Sequence, residues 1–125
     1  MSVDLRQSWS IREVEIPTRI VLAPMAGVSV QAFRRQGRRF GAGLVCSEMV
    51  SCAGIEHRNE RTLGYLRVAG DEHPLAIQIF GSDPAVMVPA PSWVVKSPFE
   101  TDTWPEGAPV LFVSVRSSVP AEEAL

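Results

Sequence analysis

Ile20-Val21-Leu22-Ala23-Pro24-Met25-Ala26-Gly27-Val28 is the stretch on which the fold of this 125-residue chain turns. The unbroken apolar run Ile20 to Ala23 suits a strand buried on both faces, as in a parallel sheet. Pro24 fixes one dihedral at the strand's end, Gly27 permits a sharp turn, and Ser29 is placed to cap a following helix. Val30 to Phe40 then carries Val30, Phe33 and Phe40 at roughly helical spacing, which predicts an apolar stripe with Arg34, Arg35, Arg38 and Arg39 outward. Gly37 weakens that helix by about 1 kcal/mol relative to alanine. Gly41-Ala42-Gly43 stops it, and Leu44 to Val50 reads as a second buried strand.

Outward from this unit the alternation continues. Gly54 to Leu66 is a second helical stretch, marked by Ile55, Leu63 and Leu66. Asp71-Glu72-His73-Pro74 is a turn, and Leu75 to Phe80 is a third strand with Ile77 and Ile79 on one face. Gly81-Ser82-Asp83-Pro84 reads as a helix start, with proline at the first helical position. Before the deciding stretch, Trp9 to Pro17 alternates Ile11, Val14 and Ile16 with charged residues, which predicts a short exposed hairpin or edge strand. The order β-α-β-α-β implies an α/β fold with right-handed parallel crossovers. Three such strands suit either an open sheet or a (β/α)8 barrel, and periodicity alone leaves both open.

The composition is that of an ordinary globular chain, 46% apolar and 21% charged, and the length is about that of one small domain. A net charge of −2 carries no basic footprint for nucleic acid. No apolar run approaches the ~18 residues of a membrane span, and no charged-then-apolar leader opens the chain. Cys46 and Cys52 are too few for a disulfide scaffold and lack metal-ligand spacing, so a reduced, cytoplasmic setting without metal is expected.

The average conceals a break near Asp83. Residues 1–83 hold ten arginines, nine acidic residues, eight glycines and three prolines; residues 84–125 hold two basic and five acidic residues, seven prolines and one glycine. The second set reads as an irregular Pro-rich tail. Its one candidate strand, Pro109 to Val115, has no obvious partner. The expected organisation is a folded portion at 1–87 and a disordered tail at 88–125.

Five segments in register carry a resemblance. They are Ala23-Pro24-Met25-Ala26-Gly27-Val28, Ala32-Phe33-Arg34, Gly41-Ala42-Gly43-Leu44, Ser47-Glu48-Met49-Val50-Ser51, and Gln78-Ile79-Phe80-Gly81-Ser82-Asp83-Pro84. In this order and spacing, over roughly residues 9–88, the chain resembles the N-terminal portion of a tRNA-dihydrouridine synthase. The resemblance implies a partial (β/α)8 TIM barrel, its first three βα units followed by the tail. It also implies an FMN-dependent enzyme that reduces uridine in tRNA with NADPH as donor. Pro24, Met25 and Ala26 would run beneath the flavin, and Gln78 would meet the pyrimidine edge of its ring with a carboxamide.

The resemblance also defines what is missing. In the family a cysteine in an Asn-x-Gly-Cys-Pro segment protonates C5 of the uracil, and no such segment occurs here. No catalytic residue is therefore assigned. The pattern fades near Met87, as a truncation or a frameshift would make it, so the chain is expected to be an inactive fragment. The alternative is a non-catalytic remnant or a weak flavin-binding half-site. Glu48 is expected in a structural ion pair with Arg34, and the arginine face as a solvated surface rather than a phosphate contact. Cys46 and Cys52 are expected to be buried or incidental thiols, and His57 and His73 have no triad or metal partner in sequence.

Overall fold

A computed structural model describes residues 2–90 and 110–116. Trp9–Ile11 (β1) and Val14–Ile16 (β2) form an antiparallel hairpin, turned at Arg12, whose φ is 52°. Val21–Leu22 (β3), Leu44–Ser51 (β4), Leu75–Gly81 (β5) and Val110–Arg116 (β6) form one parallel sheet in chain order, β3-β4-β5-β6. Gln31–Arg39 (α1) connects β3 to β4, Cys52–Glu56 (α2) and Glu60–Gly64 (α3) connect β4 to β5, and Pro84–Met87 (α4) follows β5. The α/β reading and all three strands of the repeating unit hold.

The sheet has two apolar faces, as parallel strands require. On the helix side, Val45, Val50, Leu75, Ile77 and Ile79 pack beneath Ile55, Leu66 and Val68. On the other side, Leu44, Cys46 and Ala76 lie under the hairpin residues Val14 and Ile16, with Trp9 and Ile11 at the margin. The hairpin is therefore not simply exposed. Its alternation buries Val14 and Ile16 across the N-terminal ends of β4 and β5, and the Trp9 indole N–H donates to the Thr18 carbonyl at 2.9 Å.

Four expectations are corrected. The single helix over 54–66 is two short helices, because Arg58 takes a positive φ of 52° and Asn59 caps a fresh start by accepting from the Thr62 N–H. The arginine stripe of α1 is only half outward: Arg35 and Arg39 are exposed as expected, Arg34 and Arg38 are not. Gly37 sits against Leu22, where an added Cβ would lie 3.1 Å from a methyl, and this rotation turns Arg34 and Arg38 toward the protein. Phe33 and Phe40 are left 42% and 82% exposed, while Arg34 is only 2% exposed. Ser29 does not cap α1 through its hydroxyl, which bonds back to Met25 instead.

The fourth correction concerns the tail. The candidate strand at 109–115 has a partner: β6 pairs in parallel along the whole of β5, from Leu75 opposite Val110 to Gly81 opposite Arg116. An edge strand presents a row of unsatisfied N–H and C=O groups, and any apolar extended segment within reach can pair with it. The rest of the expected disordered tail, at 91–109 and 117–125, lies outside the described residues.

Candidate functional site

The C-terminal ends of β3, β4 and β5 carry the residues of interest. After β3, residues 25–29 fold into a tight turn in which the Val28 and Ser29 amides donate to the Met25 carbonyl at 3.1 and 2.9 Å. The Ser29 hydroxyl, fully buried, accepts from the Met25 N–H and donates to the Met25 carbonyl, both at 2.9 Å. Gly27 sits at φ 73°, a conformation an L-side chain rarely takes. Pro24 and Met25 are half-buried, and Ala26 is exposed.

The turn is fastened to the next strand by Glu48. Its Oε1 accepts from the Gly27 N–H at 2.6 Å, and the residue is 7% exposed. The expected Glu48–Arg34 ion pair is thus replaced by two separate arrangements. Arg34 pairs through Nε with Glu72 at 2.5 Å and donates to the Ser29 carbonyl at 2.8 Å. The rotation of α1 explains this, because it aims Arg34 at the 3-10 turn Gly70–Glu72 rather than at the mouth of the sheet.

Gln78 lies on β5 with its backbone N–H donated to the Ser47 hydroxyl at 3.0 Å. Its half-buried carboxamide has no hydrogen bond among the described residues. Met49 stands directly opposite Gln78 in the parallel register and is 44% exposed, so an apolar and an amide side chain share one face at the strand ends. With strands ~4.8 Å apart, the ends of β3 and β5 lie roughly 10 Å from each other with β4 between them. The sequence pointed to Met25 and Gln78; it did not show that Ser47 and Glu48 bind the backbone on either side. The only trace was their place in the quoted Ser-Glu-Met segment.

Other candidates are placed elsewhere. Cys46 is buried under the hairpin and Cys52 opens α2 in the core, and burial pushes both thiols up from their ordinary value. Neither is poised as a nucleophile. Arg35 is exposed and pairs with Asp71 at 3.0 Å, whereas Arg38 donates to the carbonyls of Ala42, Gly43 and His73. A concavity lined by Ala32, Arg35, Gln36, Arg38, Arg39 and Asp71 lies along this side of α1. Among the described residues no group of His, Cys, Asp and Glu is arranged to hold a metal, and no helix is long and apolar enough to cross a membrane.

The family described as "Dihydrouridine synthase (Dus)" matches residues 21–100, which include the Met25 turn, Glu48 and Gln78. The chain belongs to the dihydrouridine synthase family. The match runs past Met87, where the pattern was expected to fade. Among curated relatives, tRNA-dihydrouridine synthase B of Pseudomonas aeruginosa is 41% identical over 75 residues, 60% of this chain and 23% of the relative. A probable tRNA-dihydrouridine synthase of Rickettsia bellii is 37% identical over 81 residues, 64% of this chain and 25% of the relative. The Vibrio cholerae tRNA-dihydrouridine synthase B is 32% identical over 87 residues, 70% of this chain and 27% of the relative. The chain spans about a quarter of the length of the curated relatives it matches. No solved structure matches it.

Proposed function

We propose that this chain supplies the opening strand–helix units of an FMN-binding (β/α)8 barrel from an enzyme that reduces uridine to dihydrouridine in cytoplasmic tRNA. Membership of the family and the names of the relatives support this reading. So does topology. Parallel strands in unbroken chain order are what a barrel wall requires, whereas a doubly wound sheet reverses its order part-way. Val21 of β3 and Phe33 and Phe40 of α1 are apolar yet exposed, surface of the kind that further units of such a wall would cover.

The observation that carries the cofactor reading is the Gln78 carboxamide at a strand end, with no hydrogen bond to another described residue, two strands from a turn whose backbone is pinned on both sides. An amide with one acceptor and two donors suits the alternating edge of a pyrimidine-like ring, and Met25 and Met49 offer polarizable apolar surface for a flat ligand. The residues present therefore fit FMN. Pro24, Met25 and Ala26 would lie along its ring and Gln78 would hold the ring edge. When bound, FMN would supply the hydride chemistry, with NADPH as the source of electrons.

This chain's own residues bind and orient; no cysteine lies in a position to deliver a proton, since both thiols sit in the apolar core. Its expected contribution is therefore a half-site without turnover. Two measurements test the reading. Titration of FMN with the full chain is expected to quench flavin fluorescence, and no quenching at high micromolar protein overturns the cofactor assignment. Incubation with FMN, NADPH and unmodified tRNA is expected to give no dihydrouridine above a protein-free control.

A further inference from the structure

β4 carries an extra residue at the point where the site is built. Cys46 stands opposite Ala76 and Met49 opposite Gln78, so three steps on β4 match two on β5. The bulged residues are Ser47 and Glu48, 1% and 7% exposed. Neighbours in a regular strand point to opposite faces of the sheet, and neither reaches sideways to the adjoining strands. A bulge bends the strand and re-aims its side chains. Here Ser47 reaches toward β5, accepting from the Gln78 N–H at 3.0 Å, while its own hydroxyl donates to the Glu48 carbonyl at 2.8 Å. Glu48 reaches the other way and accepts from the Gly27 N–H at 2.6 Å.

We propose that the Ser47–Glu48 bulge is the positioning element of the flavin site, setting the spacing between the Met25–Gly27 turn and Gln78. This rests on the cofactor reading above. Two residues adjacent in sequence hold both elements to which flavin contacts are assigned, and neither need touch the ligand. The choice of a carboxylate supports a positioning role. A buried carboxylate with no paired cation among the described residues is a costly acceptor for one backbone amide. Its charge-assisted bond is, however, short and strong, and holds a turn containing a positive-φ glycine in one place.

The test is FMN titration of the full chain and of Ser47→Ala, Gln78→Ala, their double variant, Glu48→Ala and Glu48→Gln, alongside exchange rates of the Gly27 amide measured without flavin. Gln78→Ala is expected to weaken FMN about tenfold or more, and Ser47→Ala by about threefold or more. Because Ser47 acts through Gln78, the double variant should bind as Gln78→Ala does; a merely structural role would leave the two effects additive. Glu48→Ala should weaken FMN about tenfold and speed Gly27 exchange, whereas Glu48→Gln, which keeps an acceptor oxygen but loses the charge, should fall between the parent and Glu48→Ala on both measures. Should Glu48→Ala unfold, the serine cycle decides. Wild-type-like affinity in Ser47→Ala, or an undiminished loss in the double variant, overturns the proposal alone. Failure of the unsubstituted chain to bind FMN overturns the cofactor reading together with it.

Discussion

The two ends of the parallel sheet are built on opposite principles. At the N-terminal end, Ile16 and Val14 are buried on Leu44, Cys46 and Ala76, Arg38 holds three carbonyls, and Gly43 lies so close to Thr18 that an added Cβ would come within 2.5 Å of its carbonyl oxygen. At the C-terminal end, backbone is fastened by side-chain oxygens of Ser29, Ser47 and Glu48, while Met49 and the Gln78 carboxamide are left to other partners. Apolar burial and close packing hold one end, and a polar framework shapes the other. Under the proposed barrel reading, the division matches the one in barrel enzymes, where the N-terminal end of the strands serves stability and the C-terminal end serves binding.

Substitutions at the two ends should therefore separate stability from binding. The largest loss is expected for Ile16→Ala, which empties a fully buried site beneath the hairpin. It should lower stability by about 2–5 kcal/mol in urea titration, with FMN affinity unchanged at denaturant-free conditions. An Ile16→Ala chain as stable as the parent would mean the hairpin is not seated on the sheet. Arg38→Ala removes charge-assisted bonds to three carbonyls and should cost about 1–3 kcal/mol by the same measure.

Arg35→Ala, on the neighbouring turn of α1, breaks a pair that is 52% and 57% exposed. It should change stability by less than about 1 kcal/mol, and that only at low salt. The contrast between Arg35 and Arg38 sharpens the comparison, because both are arginines of one helix and differ in what they hold. Smallest in stability is Gln78→Ala, whose side chain has no hydrogen bond to lose among the described residues. Its thermal midpoint should stay within measurement of the parent while flavin quenching falls. Equal loss of stability and binding in that variant would erase the distinction between the two ends.

Much of this was legible in residue order. The runs at Leu44 and Leu75 announced buried strands because both faces of a parallel strand are apolar. Asp83-Pro84 announced a helix start, and the Asp83 carboxylate does accept from the Ala85 N–H at 2.9 Å. The Met25 turn and Gln78 were visible through the family pattern. The face of α1 was not. Phe33 and Phe40 have the spacing of a core stripe, yet helix rotation is decided by the close approach of Gly37 to Leu22 and by the Arg34–Glu72 pair. Those contacts join residues far apart in the chain.

By itself, then, the sequence determined the succession of strands and helices, since hydrophobic period, turn residues and caps act over a few neighbouring residues. Only the tertiary structure decided which arginine is buried, that Glu48 holds Gly27 rather than Arg34, that β4 bulges at Ser47–Glu48, and that β6 pairs with β5. Each of these depends on which groups meet across the sheet. A polar group leaving water takes whichever partner the packed backbone brings within reach, and spacing along the chain does not encode that distance.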